Sequence, residues 1–221
     1  SGLHDAEHYS TARDMALLTA AALQNETFRE ICGQASAKVC FGNPPYERWL
    51  TNSNKLLTMD ETVIGVKTGF TDEAGRCLVS ASVRNGITLI CVTLNDRNDW
   101  QDHEVLYDYG FGQLSPQEVT FPADWTLPVT GGTTGTAAVA PAETLTVGVK
   151  DGNMPAWSYQ LNTPPFLYAP LTAGQEAGTW KLLLDGRVAA QGRLLVQSAV
   201  TYQEKTTEPE PQSWWKRLLQ K

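Results

Sequence analysis

Hydrophobic residues in the N-terminal part of the chain follow both helical and strand-like spacing. Residues 9–24 carry a broad apolar stripe at helical spacing, and Ser10 is the predicted N-cap of that helix. A second, shorter helix is expected over residues 28–33. Residues 38–41 are predicted to form a short strand, which ends at residues 42–45, Gly-Asn-Pro-Pro, because glycine and proline interrupt regular structure.

Three strand-like runs follow one another closely in the middle of the chain. They span residues 62–68, 76–84 and 87–94, and apolar residues alternate with polar ones in the second run. The Asn85-Gly86 dipeptide joins the second run to the third, and Asn-Gly between two such runs is a strong signal for a tight β-hairpin. Residues 99–109 again show helical spacing. We therefore predict one antiparallel sheet with this helix packed on it.

From about residue 114 onward the helical spacing disappears. Short apolar runs alternate there with Gly, Pro and Thr, and each run is a predicted strand: residues 119–125, 145–150, 158–161, 180–184 and 193–202. Asp185-Gly186 marks a second hairpin, and residues 130–136, rich in Thr and Gly, form a predicted flexible loop. Short strands at such regular spacing are typical of a small all-β sandwich.

The predicted fold class is α+β, with an antiparallel sheet and packed helices over residues 1–112 and a small all-β sandwich over residues 114–203. Residues 204–213 are rich in Glu, Thr and Pro, which is the composition of a linker. On a helix, four apolar residues of the tail share one face: Trp214, Trp215, Leu218 and Leu219. Basic residues surround this face, so residues 204–221 are interpreted as a linker and an amphipathic, membrane-anchor-like tail.

Net charge and composition exclude several classes of protein. The formal net charge is −7 at pH 7, which argues against a protein that binds the phosphates of a nucleic acid. Hydrophobic residues make up 42% of the chain and charged residues 19%, which are the proportions of a folded globular protein. No apolar run in the sequence is long enough to be predicted as a membrane-spanning helix.

Neither the cysteines nor the histidines have the spacing of a metal site, and no metal is expected. Cys77 and Cys91 lie in strand-like apolar runs, where we expect free, structural thiols. The spacing leaves open whether Cys32 and Cys40 form a disulfide. The three histidines are interpreted as surface or capping residues: His4, His8 and His103.

The most specific motif is Lys67-Thr68-Gly69 in a predicted strand. Active-site serine penicillin-binding enzymes combine such a Lys-Thr-Gly element with Ser-x-x-Lys and Ser-x-Asn elements. The only Ser-x-x-Lys in the chain is residues 213–216, which follow the acidic, Pro-rich linker instead of beginning a core helix. Asn52-Ser53-Asn54 has the wrong order for Ser-x-Asn, and Lys55 is assigned a structural role. The chain is therefore interpreted as the C-terminal half of an enzyme, beginning after the nucleophile.

Several longer blocks resemble the D-alanyl-D-alanine carboxypeptidases, the low-molecular-mass penicillin-binding proteins. In chain order they are residues 1–5 (Ser-Gly-Leu-His-Asp), 8–16 (His-Tyr-Ser-Thr-Ala-Arg-Asp-Met-Ala), 52–57 (Asn-Ser-Asn-Lys-Leu-Leu), 65–75 (Gly-Val-Lys-Thr-Gly-Phe-Thr-Asp-Glu-Ala-Gly) and 106–111 (Leu-Tyr-Asp-Tyr-Gly-Phe). The β-rich part and the amphipathic tail are similar to the family's C-terminal domain and membrane anchor. The resemblance therefore covers essentially the whole chain.

The resemblance implies roles for five residues. Lys67, the catalytic lysine, would hold positive charge near the substrate carboxylate and the catalytic hydroxyls, and Thr68 would donate a hydrogen bond to that carboxylate. Gly69 would leave room for a close backbone approach, and the N–H of Phe70 would form half of an oxyanion hole. Arg97 would help to bind the carboxylate. The alternatives are an exposed strand lysine at Lys67 and a solvated loop arginine at Arg97.

The expected function is a serine-type D-Ala-D-Ala carboxypeptidase that trims the terminal D-Ala from peptidoglycan stem peptides through an acyl-enzyme. The chain alone is predicted to be inactive, since it lacks the Ser-x-x-Lys nucleophile. Expected partners are the stem peptide, β-lactams when the N-terminal part is present, and a membrane surface, on the outer face of the bacterial cytoplasmic membrane; no cofactor is expected. A non-catalytic cell-wall-binding module is the alternative, and a β-lactamase-like enzyme is disfavoured by the added β-rich part.

The tail gives a testable prediction. The chain with its native C-terminus should sediment with anionic vesicles, because Trp214 and Trp215 with neighbouring basic residues favour the membrane interface. A variant that ends at residue 203 should stay in the supernatant. Co-sedimentation of the two forms, measured side by side, tests this, and equal sedimentation of both would contradict it.

Overall fold

The computed structural model describes residues 2–152, 156–184 and 186–204. Two compact units divide the chain: Ser1–Glu118 with Leu145–Met154, and Val119–Thr144 with Pro155–Lys221. The predicted tail helix lies outside the described residues, and the predicted domain limits at residues 112, 114 and 203 stay predictions. Among the helices that the structure describes, none is long and apolar enough to cross a membrane.

An α+β unit and an all-β unit are present, which confirms the predicted fold class. The helices are α1 (Ala12–Ala22), α2 (Glu26–Gly33), α3 (Leu56–Met59) and α4 (Asp99–Gly112). The strands are β1 (Ser36–Phe41), β2 (Tyr46–Thr51), β3 (Val63–Thr71), β4 (Gly75–Arg84), β5 (Ile87–Thr93), β6 (Leu114–Val119), β7 (Thr126–Thr130), β8 (Thr136–Pro141), β9 (Leu145–Lys150), β10 (Trp157–Asn162), β11 (Leu167–Tyr168), β12 (Glu176–Leu184) and β13 (Arg187–Val196).

Side-chain caps set where the first two helices begin. Thr11 caps α1, because its Oγ1 accepts a hydrogen bond from the backbone N–H of Asp14 at 3.1 Å. The predicted cap at Ser10 is therefore wrong by one residue. Asn25 caps α2 in the same way, and its Oδ1 accepts from the N–H of Phe28 at 3.0 Å.

Strands β3, β4 and β5 form one antiparallel sheet, as predicted, and β4 lies between the other two. Asn85 and Gly86 have φ angles of 51° and 78°, which is the left-handed conformation that a tight two-residue hairpin requires. Asparagine and glycine adopt it at the lowest steric cost. The dipeptide therefore determines the register between β4 and β5, and the predicted hairpin is confirmed.

Apolar clusters cover both faces of this sheet. The cluster on the α4 face contains Leu56, Val63, Leu78, Cys91 and Tyr107. The cluster on the opposite face contains Leu23, Val66, Val79 and Ala81. Successive side chains of β4 enter opposite clusters because a strand alternates its side chains between the two faces. Helix α4 packs on the sheet as predicted and extends three residues beyond its predicted end, to Gly112.

The structure of the first unit differs from the prediction at β2, β6 and β9. Strand β1 pairs with β2, which the sequence analysis did not find, and the rings of Phe41 and Tyr46 lie 4.7 Å apart at the end of this hairpin. Strand β6 pairs with β9, so residues 145–150, predicted as part of the later sandwich, belong to the first unit.

The predicted strand at residues 119–125 is wrong. Strand β6 ends at Val119, and a turn follows Pro122, which lacks the N–H that a strand interior needs.

The second unit contains a six-stranded sheet in the order β10-β12-β13-β8-β7-β11. Strands β12 and β13 form the predicted hairpin, with Leu184 opposite Arg187; Asp185 lies outside the described residues. The strand predicted at residues 193–202 is shifted in the structure, where β13 spans Arg187–Val196. Pairing with β12 includes the Ala- and Gln-containing residues that precede residue 193. The predicted loop at residues 130–136 joins β7 to β8.

His103 is fully buried on α4, so its predicted surface or capping role is wrong. Its Nδ1 lies 2.6 Å from the Oγ of Ser80, and its Nε2 lies 3.1 Å from the Oγ1 of Thr93. The Oγ of Ser80 also lies 2.5 Å from the hydroxyl of Tyr107. A neutral imidazole donates through one nitrogen and accepts through the other, so these hydroxyl groups satisfy both. His4 and His8 are exposed, as predicted.

All four cysteines are free thiols. Cys91 is buried, and this burial raises the pKa of its thiol to about 11. Cys77 is half-buried, which agrees with the predicted structural role of both residues. Cys32 is half-buried and Cys40 is exposed, and no disulfide joins them.

His103 gives a prediction about stability and pH. Burial lowers the pKa of its imidazole from 6.5 to about 4, although Asp99, Asp96 and Asp102 favour the charged form. As the pH falls from 6.5 to about 4, the unfolded chain takes up the proton first. The free energy of unfolding should therefore decrease by on the order of 1–3 kcal/mol. Denaturant unfolding at a series of pH values measures this decrease. His103→Gln, which cannot titrate, should show a smaller decrease, and equal decreases would contradict the prediction.

Candidate functional site

The Lys67-Thr68-Gly69 motif lies on β3, at one edge of the three-stranded sheet. Lys67 and Gly69 are exposed, Thr68 is half-buried, and the side chain of Phe70 is 68% exposed. Strand β3 extends past its predicted end to Thr71, so all four residues lie in one regular strand. The structure therefore places these four predicted site residues along one accessible edge.

The backbone N–H and C=O groups of β3 point in defined directions. The Nζ of Lys67 donates a hydrogen bond to the carbonyl oxygen of Thr68. In an antiparallel strand, the N–H and C=O groups of alternate residues point to the same edge. The N–H of Phe70 consequently points to the same edge as the carbonyl of Thr68. Lys67 retains two further N–H donors for another ligand.

Ser53 extends the site beyond β3. Its Oγ lies 2.7 Å from the Oγ1 of Thr68, and either hydroxyl group can donate in this hydrogen bond. Ser53 belongs to the loop between β2 and α3, 15 residues before Thr68 in the sequence. Sequence reasoning missed this residue because it considered Asn52-Ser53-Asn54 only as a Ser-x-Asn element in the wrong order. The available signal was the run of small polar residues ahead of α3.

The structure accounts differently for the two glycines of β3, Gly65 and Gly69. Gly65 has a φ of 149°, and a Cβ there would lie 2.7 Å from the Sγ of Cys32. A Cβ on Gly69 would lie 3.7 Å from the Cβ of Cys77, which is an ordinary contact. The fold therefore requires glycine at Gly65 but not at Gly69. At Gly69, the missing side chain leaves the exposed strand surface open.

The end of β3 lies next to the loop between β5 and α4. Phe70 pairs with Arg76 on β4, and the Nη2 of Arg76 lies 2.5 Å from the Oδ1 of the buried Asp99. The carbonyl of Arg76 accepts from the N–H of Asp96 at 2.9 Å, which ties the β5–α4 loop to this end of the sheet. Arg97 is exposed in that loop and forms no ion pair with any residue that the structure describes. Arg97 is thus brought to the same end of the sheet as Phe70.

The described part of the chain contains no group of three or more His, Cys, Asp or Glu side chains that could hold a metal ion. A surface cavity of about 500 Å³ lies at the other end of β3, near α2. It is lined by Glu26, Arg29, Glu30, Gly33, Gln34, Val63 and Ile64. The candidate site is therefore an open strand edge, separate from this cavity.

Two family models match the chain. The model for D-alanyl-D-alanine carboxypeptidase (Peptidase_S11) matches residues 1–98, which include Lys67-Thr68-Gly69 and Arg97. The model for the C-terminal domain of penicillin-binding protein 5 matches residues 121–202. Together the two models match most of the chain.

Individual proteins agree with these matches. D-alanyl-D-alanine carboxypeptidase DacF of Bacillus subtilis is 28% identical over 200 residues, which cover 86% of this chain and 50% of that protein. DacC of Escherichia coli is 33% identical over 213 residues, which cover 90% of this chain and 50% of that protein. The crystal structure of a peptidoglycan synthesis regulatory factor (PBP3) from Streptococcus pneumoniae superposes with a TM-score of 0.58 at 20% identity. The superposition covers 86% of this chain and 57% of that protein, and this similarity concerns the fold. The chain spans about half the length of the curated relatives it matches.

The two glycines of β3 give a paired prediction. Gly69→Ala should leave the free energy of unfolding unchanged within about 1 kcal/mol, because its Cβ makes only ordinary contacts. Gly65→Ala should lower it by roughly 1–3 kcal/mol, because the backbone conformation is strained for alanine and Cys32 must move. Chemical denaturation of both variants measures the difference. Equal destabilisation would show that both glycines are needed for the fold.

Proposed function

Because the chain belongs to the D-alanyl-D-alanine carboxypeptidase family of low-molecular-mass penicillin-binding proteins, we propose that it supplies the substrate-binding side of a serine-type D-Ala-D-Ala carboxypeptidase. The substrate is a peptidoglycan stem peptide, and the reaction removes its terminal D-Ala. A serine hydroxyl attacks the carbonyl between the two D-Ala residues, the terminal D-Ala leaves, and water hydrolyses the resulting ester. The role of this chain is to bind the peptide and to stabilise the negative charge on the reacting carbonyl oxygen.

The observation that carries the proposal is the position of Lys67-Thr68-Gly69 on an accessible sheet edge. An extended peptide can add to such an edge as a further strand, held by main-chain hydrogen bonds. The terminal carboxylate of the peptide then lies near the ammonium group of Lys67 and the hydroxyl group of Thr68. The open surface at Gly69 lets the two backbones approach closely.

The N–H of Phe70 is proposed to form half of the oxyanion hole. Its direction supports this role, since it points to the same edge as the carbonyl of Thr68, which accepts from Lys67. A donor fixed within a strand needs no reorganisation when charge develops on the substrate oxygen. The backbone N–H of the nucleophilic serine supplies the second donor.

Arg97 is proposed to help bind the substrate carboxylate. It is exposed in the β5–α4 loop, and the hydrogen bond from Asp96 to Arg76 holds that loop at the Phe70 end of β3. A guanidinium group can bind a carboxylate through two parallel hydrogen bonds. Arg76 lies closer along the sheet but is engaged by Asp99.

In the Ser-x-x-Lys motif, a lysine three residues after the nucleophilic serine lies within reach to activate it. In this sequence Ser-x-x-Lys occurs at residues 213–216 alone, and these residues lie outside the described part of the structure. We propose that a Ser-x-x-Lys segment other than this one supplies the nucleophile. The chain by itself then binds the peptide but does not catalyse its cleavage.

The proposed substrate also determines where the protein acts. Peptidoglycan lies outside the cytoplasmic membrane, so the proposed reaction is extracytoplasmic. The basic and aromatic residues of the tail are proposed to attach the protein to the outer face of that membrane.

We predict that residues 1–221 alone neither release D-Ala from an acyl-D-Ala-D-Ala peptide nor form a covalent adduct with penicillin. Adding a segment of this family that carries Ser-x-x-Lys, in the same chain or as a separate one, should restore both reactions. Mass spectrometry after incubation with penicillin detects the adduct. A stoichiometric adduct on any serine of the chain alone would contradict the proposed division of the site.

In the restored enzyme, Lys67→Ala should raise the activation barrier by about 3–4 kcal/mol, by analogy with the loss of an oxyanion-hole donor. Lys38→Ala is the matched control, because Lys38 is an exposed lysine on β1 that pairs with Glu47 at 2.8 Å. Full activity of Lys67→Ala would overturn the proposed role. If the chain with the added Ser-x-x-Lys segment binds the stem peptide but still forms no adduct, a non-catalytic cell-wall-binding module is supported instead.

A further inference from the structure

We infer that Ser53 orients the hydroxyl group of Thr68 toward the carboxylate of the bound peptide, and is therefore a positioning residue of the substrate site. The inference rests on the proposed function, in which Thr68 donates to that carboxylate. The observation behind it is the 2.7 Å hydrogen bond between the two hydroxyl groups. Within the described residues, Ser53 is the side-chain partner of the Thr68 hydroxyl.

Each hydroxyl group has one proton, and this determines which of Ser53 and Thr68 donates when a carboxylate is bound. A threonine hydroxyl has one proton and can accept as well as donate. If Thr68 gives its proton to a carboxylate, its oxygen can only accept from Ser53. Ser53 as donor therefore leaves the proton of Thr68 free for the ligand. Without Ser53, the Thr68 side chain loses the contact that holds its rotamer.

Lys67 does not replace Ser53 in this role. Its Nζ donates to the carbonyl oxygen of Thr68, not to the hydroxyl oxygen. The ammonium group and the Thr68 hydroxyl are thus held by different partners. Each of them can then meet a carboxylate oxygen separately.

Asn52 holds the chain on one side of Ser53. Its Nδ2 donates to the carbonyl of Cys32 at 3.2 Å and to that of Gln34 at 3.0 Å. Its Oδ1 accepts from the N–H of Asn54 at 3.0 Å. The loop is therefore attached to the end of α2 and closed over Ser53 by a local hydrogen bond.

Asn54 holds the chain on the other side. It is 2% exposed, and its Oδ1 accepts from the N–H of Leu56 at 3.2 Å. Leu56 is fully buried in the cluster on the α4 face, so this end of the loop is fixed to the core. Ser53 itself is exposed. An exposed hydroxyl held between two anchored residues is suited to positioning another group, and it contributes little to the core.

The first test measures the Thr68 side chain directly in residues 1–221. Three-bond couplings from the ¹³C-labelled methyl group of Thr68 to its backbone nitrogen and carbonyl carbon report its χ1 rotamer. Wild type and Ser53→Thr, which keeps a hydroxyl, should show one rotamer, and Ser53→Ala should show averaged couplings. Unchanged couplings in Ser53→Ala would overturn the inference.

The second test measures binding of an acyl-D-Ala-D-Ala peptide to the same variants by NMR titration. Ser53→Ala should weaken binding about threefold to tenfold, the range for a lost hydrogen bond, and Ser53→Thr should restore it. A peptide with an amidated C-terminus is the control, because it lacks the carboxylate and should not distinguish wild type from Ser53→Ala. The thermal unfolding midpoint of Ser53→Ala should match that of wild type, since Ser53 is exposed.

Two further variants separate the failure of this inference from the failure of the proposed function. If Lys67→Ala and Thr68→Val weaken binding but Ser53→Ala does not, only the role of Ser53 is overturned. If wild type does not bind the peptide, or if Lys67→Ala and Thr68→Val bind as wild type does, the proposed substrate site is wrong. The Thr68 couplings then decide by themselves whether Ser53 holds this side chain.

Discussion

The antiparallel pairing of β3 with β4 is the interaction on which the rest of the first unit depends. It places Lys67 opposite Val79 and Phe70 opposite Arg76, and it leaves the other edge of β3 for the candidate site. Because side chains alternate between the two faces, a slip of one residue would turn every side chain of β3 to the opposite face of the sheet. Burial of Val66 in the cluster opposite α4 opposes such a slip. Core packing and site geometry are therefore determined by the same register.

The α4 face of the sheet combines apolar packing with buried hydroxyl groups. Ser80 and Ser82 on β4 are fully buried, and Ser82 lies 2.7 Å from the Oγ1 of Thr62. Ser80 joins His103 and Tyr107 of α4 to the sheet through hydrogen bonds. Buried polar groups stabilise a fold only when their hydrogen bonds are made, so these contacts favour one position of the helix on the sheet.

The candidate site combines a rigid strand with residues from two loops. In the proposed site, strand β3 supplies backbone donors in fixed directions, the β2–α3 loop supplies Ser53, and the β5–α4 loop supplies Arg97. Lys67 and Arg97 are exposed cations, whereas Arg76 is paired with Asp99, and the formal net charge of the chain is −7. The proposed binding of a carboxylate depends on the charges near the site, because the Debye length at physiological ionic strength is about 8 Å and more distant charges are screened.

Local sequence was sufficient wherever neighbouring residues determine the structure. Asn85-Gly86 determined the hairpin between β4 and β5 because only a few residue types accept its positive φ angles. The alternating residues of β4 and the Lys-Thr-Gly motif placed the candidate site on a strand. The sequence did not show that β3 lies at a sheet edge, which depends on strand order.

Tertiary structure decided the features that depend on residues far apart in the chain. Strand β13 includes Ala190, Gln191 and Gly192, residues with weak strand preference, because β12 pairs with them. His103 is buried because α4 turns it toward Ser80 and Thr93, and helical spacing alone does not identify that partner face. Ser53 reaches Thr68 only when the loop after β2 folds back onto β3. The sequence by itself therefore determined the elements and the motif, whereas their partners required the tertiary structure, because backbone pairing and side-chain burial join residues that local pattern does not connect.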